Sequence, residues 1–410
     1  MKTNIFQSFA KQILGTIIKT CALSIPLFLC LSCKNDNKQS SKENEERNPS
    51  LLKCLNCFPN LKPKYDPPYD YLEIIKLETT RDCLLDGLIK LEMTDSLIFY
   101  MDRRDNLFIF NRDGLFISKV GQKGQGPQDY IRLNTFFIHH NQVVLIDEIK
   151  GLLLYYDFNG KFISSISINN KYLRNMMNVQ LIDDSHLLIC YMISGRPEEN
   201  TSYSILDLNT KTIKWLDFTY NPIKLDNYHH YFSLHQMAKM QDEIHFIMPL
   251  CDTIYSYSDS LVSAKYITKT HDKVAKKEQI EYNTKEFHRE LFRLDQQGYF
   301  VGFNAIYETE HIIILYYDSM VLGYYMFDKN TNEGNFYYHA TGEEVTEVPF
   351  YRIVQSLPNN QFVAVENLEF LIPLMEDIKG NNKDLLLLKT IVENSEEDDN
   401  PLIFIYGFNK

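Results

Sequence analysis

A short arrangement of apolar runs and tight-turn residues is written twice in this chain, and that repetition narrows the folds open to it. Leu97-Ile-Phe-Tyr-Met-Asp102 is followed by Asn106-Leu-Phe-Ile-Phe-Asn-Arg-Asp-Gly114 and then by Leu115-Phe-Ile-Ser-Lys-Val120. About 45 residues further on, Val143-Val-Leu-Ile-Asp147 leads into Leu152-Leu-Leu-Tyr-Tyr-Asp-Phe-Asn-Gly160 and Lys161-Phe-Ile-Ser-Ser-Ile166. Asp113-Gly114 and Asn159-Gly160 supply the positive φ angles that tight hairpins require. Each unit is therefore three or more antiparallel strands.

Weaker copies follow at Leu187-Leu-Ile-Cys-Tyr191 with Tyr203-Ser-Ile-Leu-Asp207, and at Ile244-His-Phe-Ile-Met248 with Thr253-Ile-Tyr-Ser-Tyr257. Two more lie at His311-Ile-Ile-Ile-Leu-Tyr-Tyr317 with Tyr324-Tyr-Met-Phe327, and at Phe362-Val-Ala-Val365. Repeats of four short strands that cannot bury their faces alone are propeller blades. The expected fold is all-β: a six-bladed β-propeller of four-stranded antiparallel blades over residues 69–410. Closure of the ring is expected to pair the strand near Tyr71-Leu-Glu-Ile-Ile75 with the last blade, which removes two exposed sheet edges. The 27 tyrosines and 26 phenylalanines against one tryptophan suit pleated, half-buried surfaces. Thr284–Leu294 and Asp384–Glu393 break the strand pattern and read as short helices.

The N-terminus reads differently. Lys2, Lys11 and Lys19 precede an apolar run, Cys21 to Ser32, of about a dozen residues, too short for the ~20 of a membrane-spanning helix. A small Ser stands just before Cys33, after which the chain turns polar. Residues 1–32 are thus expected to be a lipoprotein signal peptide, with Cys33 the lipid-bearing residue of the mature chain. Residues 33–68 are low in hydrophobicity and rich in charge, and read as a flexible tether. The expected location is the cell envelope, on a membrane, with the outer membrane favoured and the propeller facing periplasm or exterior.

Charge excludes one class of partner. The chain carries 42 basic and 54 acidic side chains, a formal −12. No long basic stripe offsets this, so nucleic acid is not an expected ligand. Cys54, Cys57, Cys83, Cys190 and Cys251 remain beyond Cys33, an odd number that argues against a complete disulfide framework. Cys54 and Cys57 have C-x-x-C spacing but no second pair to complete a tetrahedral zinc site. A local disulfide or spare thiols is the simpler reading.

At Val120-Gly-Gln-Lys-Gly-Gln-Gly-Pro-Gln-Asp-Tyr130 the chain resembles the six-bladed β-propeller lipoproteins of Gram-negative gut bacteria, a group akin to TolB-like and NHL-type propellers. Gly121, Gly124, Gly126, Pro127, Asp129 and Tyr130 match that pattern, and Gln128 stands where the family usually has Gly. Cys251-Asp-Thr-Ile-Tyr255 and Asp399-Asn-Pro-Leu-Ile-Phe-Ile-Tyr406 resemble the family's internal and closing strands. The resemblance implies the fold over residues 69–410, and no reaction. Read from the residues, the Gly-rich segment is a structural turn between blades: a phosphate-cradling loop sits between a strand and a helix, whereas Pro127 leads into another strand.

Asp102 and Asp147 occupy equivalent strand ends, where an acid hydrogen-bonds the following turn or, alternatively, faces a ligand or cation in the axial channel. With Arg103 and Arg104 they form the candidate ligand or partner surface. His139-His140 and His229-His230 with His235 are the histidine clusters, but neighbours on a strand point to opposite faces, so no metal site is expected from them. No Gly-x-Ser-x-Gly elbow is present, and no cofactor or catalytic residue is supported. The first reading is a non-enzymatic binding or scaffolding lipoprotein with an unidentified protein or small-molecule ligand. Its rival is a metal-dependent propeller enzyme, lactonase- or lyase-like, with axial acids and histidines holding a divalent ion.

Overall fold

Burial explains why the repeated runs become strands with no free face. In Leu402–Gly407 all six residues are buried. Leu402, Phe404 and Tyr406 pack toward one neighbouring blade, while Ile403 and Ile405 pack toward the other. A side-chain period of two thus feeds two separate cores from one strand. Leu97–Asp102 behaves alike, with Ile98 and Tyr100 in one cluster and Phe99 and Met101 in the next.

The computed structural model describes residues 53–56, 68–191, 203–216, 235–248, 250–269, 273–276, 279, 287–318, 322–338, 347–375 and 379–409. They build six four-stranded sheets in a ring of blades. Blade 1 comprises Leu88–Met93, Leu97–Asp102, Leu107–Asn111 and Phe116–Val120; blade 2 comprises Leu133–His139, Gln142–Asp147, Leu152–Asp157 and Phe162–Ser167. Blade 3 is Met176–Asp183, His186–Tyr191, Tyr203–Asp207 and Thr212–Trp215, and blade 4 is Met237–Met240, Glu243–Phe246, Thr253–Ser258 and Leu261–Lys269. Blade 5 is Ala305–Glu308, Ile312–Asp318, Leu322–Asp328 and Glu333–Tyr338. Gly114 and Gly160 close the expected hairpins at φ 85° and 78°.

Blade 6 closes the ring. Ile353–Leu357, Gln361–Glu366 and Leu402–Gly407 are joined by Tyr71–Lys76 from the other end of the chain, antiparallel to Leu402–Gly407 in a register running from Tyr71 opposite Gly407 to Lys76 opposite Leu402. Between its second and third strands, blade 6 carries the helices Leu368–Leu374 and Lys383–Glu393. Asn382 caps the second by accepting from Leu385 N at 2.8 Å, and Leu385, Leu388 and Val392 are buried against the core shared by blades 5 and 6. The expected helix at Thr284–Leu294 is found as Phe287–Gln296.

One segment departs from the expected tether. Lys53–Asn56 is a strand, parallel to Tyr266–Lys269 on the outer edge of blade 4. The last strand of that blade leaves backbone groups without a partner, and Leu55 seals the addition by burying itself in the core shared by blades 4 and 5. Signal peptide, Cys33 and the rest of the tether to residue 67 lie outside the described residues.

If closure holds the ring, truncation after Asn400 will abolish cooperative unfolding of the whole propeller. Phe404→Ala is expected to cost about 3–5 kcal/mol by denaturant unfolding. A loss under about 1 kcal/mol would show that the seam is not where stability resides.

Candidate functional site

The first strands of the blades converge on a cavity of about 250 Å³. Lys90 and Glu92 of blade 1 line it with Asn178 and Gln180 of blade 3, Lys239 of blade 4 and Gln355 of blade 6. Residues of five blades line this space, and many of their inward side chains are polar.

Lys90 is the centre of the arrangement. Its residue is only 6% exposed, and its ammonium is held by three acceptors from three blades. Phe136 O lies at 2.7 Å, Glu92 Oε1 at 2.8 Å and Asn178 Oδ1 at 3.4 Å. An ammonium has three donors, so two are firmly engaged and the third points at a long, weak contact. That third direction is the one a ligand oxygen can take over.

His235, just before the first strand of blade 4, lies in the same wall, its ring 5.1 Å from that of Tyr307. The residue lines the cavity and is half-buried. Desolvation, followed by the positive charges of Lys90 and Arg352, pushes its pKa down to about 3. The imidazole is therefore neutral at physiological pH, and the charged residues of the lining are Lys90, Glu92 and Lys239, whose ammonium donates to Leu181 O at 2.8 Å.

A second buried polar cluster was not visible in the sequence. His245 of blade 4 places Nδ1 2.6 Å from Glu308 Oε2 of blade 5 and Nε2 2.9 Å from Glu243 Oε2. Lys329 reaches Glu308 at 2.7 Å and Lys265 reaches Glu243 at 2.8 Å. Burial by itself raises the pKa of Glu308, but the His245 hydrogen bond and the charges of His245 and Lys329 hold it below the usual range. Burial likewise opposes Glu243, and hydrogen bonds from Lys265, His245 and Ser256 bring it to about 2. Each of these charges already has its opposite, so the cluster joins two blades and offers little to a ligand.

The residues singled out from sequence sort differently. Asp102 and Asp147 are both 0% exposed and present no surface. Asp102 accepts from the backbone N–H of Arg104 and Asn106 at 2.9 and 2.8 Å; Asp147 accepts from Ile131, Ile149 and Lys150 at 2.6, 2.9 and 3.0 Å. Equivalent acids thus shape equivalent turns, and their place in the candidate surface is corrected. Arg103 and Arg104 are exposed; Arg103 lies against Gly87, and Arg104 pairs with Asp86 at 3.0 Å. None of the four lines the axial cavity.

The Gly-rich segment is a turn between blades 1 and 2. Gly126 N donates to Asp129 Oδ2 at 3.0 Å, and Lys150 Nζ donates to the carbonyls of Gly126 and Asp129 at 2.8 and 2.7 Å. A Cβ at Gly124 would stand 2.3 Å from Asp129 Oδ2, and one at Gly121, where φ is 65°, 2.9 Å from the Tyr156 hydroxyl. Tyr130 is fully buried behind this turn. Pro127 and Gln128 sit within it, and Tyr156 donates its hydroxyl proton to Gln128 O.

Cys83 and Cys190 are buried and Cys251 half-buried, all three as free thiols. Burial pushes the Cys190 thiol up to about 12. Cys57, His229 and His230 lie outside the described residues. His139 and His140, expected to face opposite ways, stand together with ring centroids 4.0 Å apart. His140 is at φ 48°, in a turn, where strand alternation does not apply.

If Asp147 serves the turn, Asp147→Ala will lower stability by about 1–3 kcal/mol through orphaned N–H groups. The same variant will leave any ligand affinity at the axial cavity unchanged; a loss of binding at unchanged stability would reverse the assignment.

No curated protein matches the sequence. Among solved structures, a predicted exported protein from Bacteroides fragilis NCTC 9343 aligns at TM-score 0.68 and 19% identity, over 87% of this chain and 100% of its own. A member of the DUF4221 family from Bacteroides vulgatus ATCC 8482 aligns at TM-score 0.50 and 11% identity, over 82% of this chain and 96% of its own. At such identities the likeness is one of fold. The model of the family described as "Domain of unknown function (DUF4934)" matches residues 66–407, and the chain belongs to that family.

Proposed function

We propose that this protein is an exported, lipid-anchored binding module of the cell envelope whose axial cavity takes a small anionic molecule. The observation that carries this is Lys90: a buried ammonium with one weakly used donor, in a polar cavity whose lining includes two lysines, Lys90 and Lys239, and one acid, Glu92. A protein with a formal −12 surrounding such a cavity favours a ligand that is bound by discrete groups rather than by a broad field. The volume, about 250 Å³, falls below the roughly 300–1,000 Å³ of sites for drug-sized molecules, so the ligand is small. Export is supported by the signal-like leader ending before Cys33 and by the name of the B. fragilis relative.

Titration calorimetry of the exported chain against phosphate, citrate and a uronic acid tests the binding reading. At least one is expected to bind, and Lys90→Met to weaken it ten- to hundredfold, the value of a charge-assisted hydrogen bond. Charge reversal at Arg103 and Arg104 serves as the control and leaves the affinity unchanged. Absence of binding by all three anions, or full affinity in Lys90→Met, overturns the assignment.

The anchor is tested separately in cells. Cys33→Ala is expected to move the protein from the membrane fraction to the soluble fraction, since no acyl chain then holds it. A variant that stays with membranes through a carbonate wash would rule the lipid anchor out.

A further inference from the structure

The hairpin joining the first two strands of blade 2 turns through His140 and Asn141, at φ 48° and 57°. Two successive positive φ angles are the type I′ geometry of a two-residue hairpin. The turn folds the His140 ring back beside that of His139. In blade 3, the matching hairpin carries Asp183, Asp184 and Ser185. Asp183 is committed locally, accepting from Ser185 N at 2.8 Å and meeting His186 Nδ1 at 2.9 Å. Asp184 instead crosses to blade 2, with Oδ1 3.1 Å from His140 Nε2 and 3.5 Å from His139 Nε2.

We propose that His139, His140 and Asp184 form a binding site for a divalent cation of the zinc type, bridging blades 2 and 3. Three observations carry it. The three ligand atoms all lie within 4.8 Å of one another. Zinc bonds of ~2.0–2.1 Å at tetrahedral angles place neighbouring ligand atoms about 3.3 Å apart, and the two distances to Asp184 bracket that separation. Finally, His139 Nε2 is buried and finds no hydrogen-bond partner among the described residues.

A plain ion pair accounts for only part of this. Asp184 within 3.1 Å satisfies His140, but at 3.5 Å it leaves the buried His139 nitrogen unserved, and an unsatisfied buried polar atom is unfavourable. A cation at the centre of the three atoms satisfies both imidazoles and the carboxylate together. Two neutral imidazoles with one carboxylate suit zinc rather than magnesium or calcium, which prefer oxygen shells. His140 and Asp184 are exposed, so the cation has access from solvent, and water completes the fourth position.

The site is tested by calorimetric titration of the exported chain with Zn²⁺ alone. His140→Asn preserves the turn, because Asn tolerates positive φ, and removes a ligand. Asp184→Asn removes the carboxylate charge. Each is expected to lose one equivalent of bound zinc or to weaken it at least tenfold, while the metal-free melting temperature and circular dichroism stay as in the wild type. His229 and His230 remain in both variants, so zinc held there does not change. If wild type binds no zinc, or both variants bind it as wild type does, the site does not exist.

Discussion

The second and third strands of each blade must be covered on both faces, and no blade can cover its own. Each sheet is one layer thick, so its two faces belong to two different cores. The clusters shared by neighbouring blades, such as Phe99, Met101 and Val143 between blades 1 and 2, take alternate residues from every strand. The fold is therefore stable only as a closed ring, and a missing neighbour at any point exposes a face of aromatic and aliphatic side chains. This is why Tyr71–Lys76 has to travel from one end of the chain to complete blade 6.

The same constraint produces the site. At the outer positions alternation can be purely apolar, because each face meets another sheet. At the axis the first strands meet no sheet; their inward side chains meet one another. Lys90, Glu92, Asn178, Gln180, Lys239 and Gln355 are brought to a common space by closure alone, from positions up to about 265 residues apart. The interblade network of Glu243, His245, Glu308 and Lys329 follows a different logic. There opposite charges were matched during folding, and the result is a closed set rather than an open one.

Strands two and three of the blades were readable because two-sided burial makes them continuous apolar runs, and Asp-Gly and Asn-Gly turns set their registers. The first strands were harder to read for the reason that makes them interesting. Polar residues facing the axis interrupt Met176–Asp183 and Met237–Met240, so neither an apolar run nor a clean alternation marks them. Lys53–Asn56 lies in a short apolar stretch, Leu51 to Phe58, between a charged segment and a proline-containing one, and no neighbouring hairpin marks it as a strand. Strand alternation does not govern His139 and His140, because the strand ends at His139 and His140-Asn141 form the two-residue hairpin turn.

By itself, the sequence determined the class of fold, the number of blades, the positions of their hairpins and the place where the ring closes. All of these follow from local hydrophobic period and turn chemistry, which act between residues close in the chain. It also marked Asp102 and Asp147 as equivalent, since repeats carry equivalent turns. Only the tertiary structure decided that those two acids face inward to backbone N–H groups, and that Lys90 and His235 share a cavity. It alone decided that Asp184 of one blade meets His139 and His140 of the next. Those relations join residues by the rotation from blade to blade, and no local pattern encodes which side chains that rotation brings together.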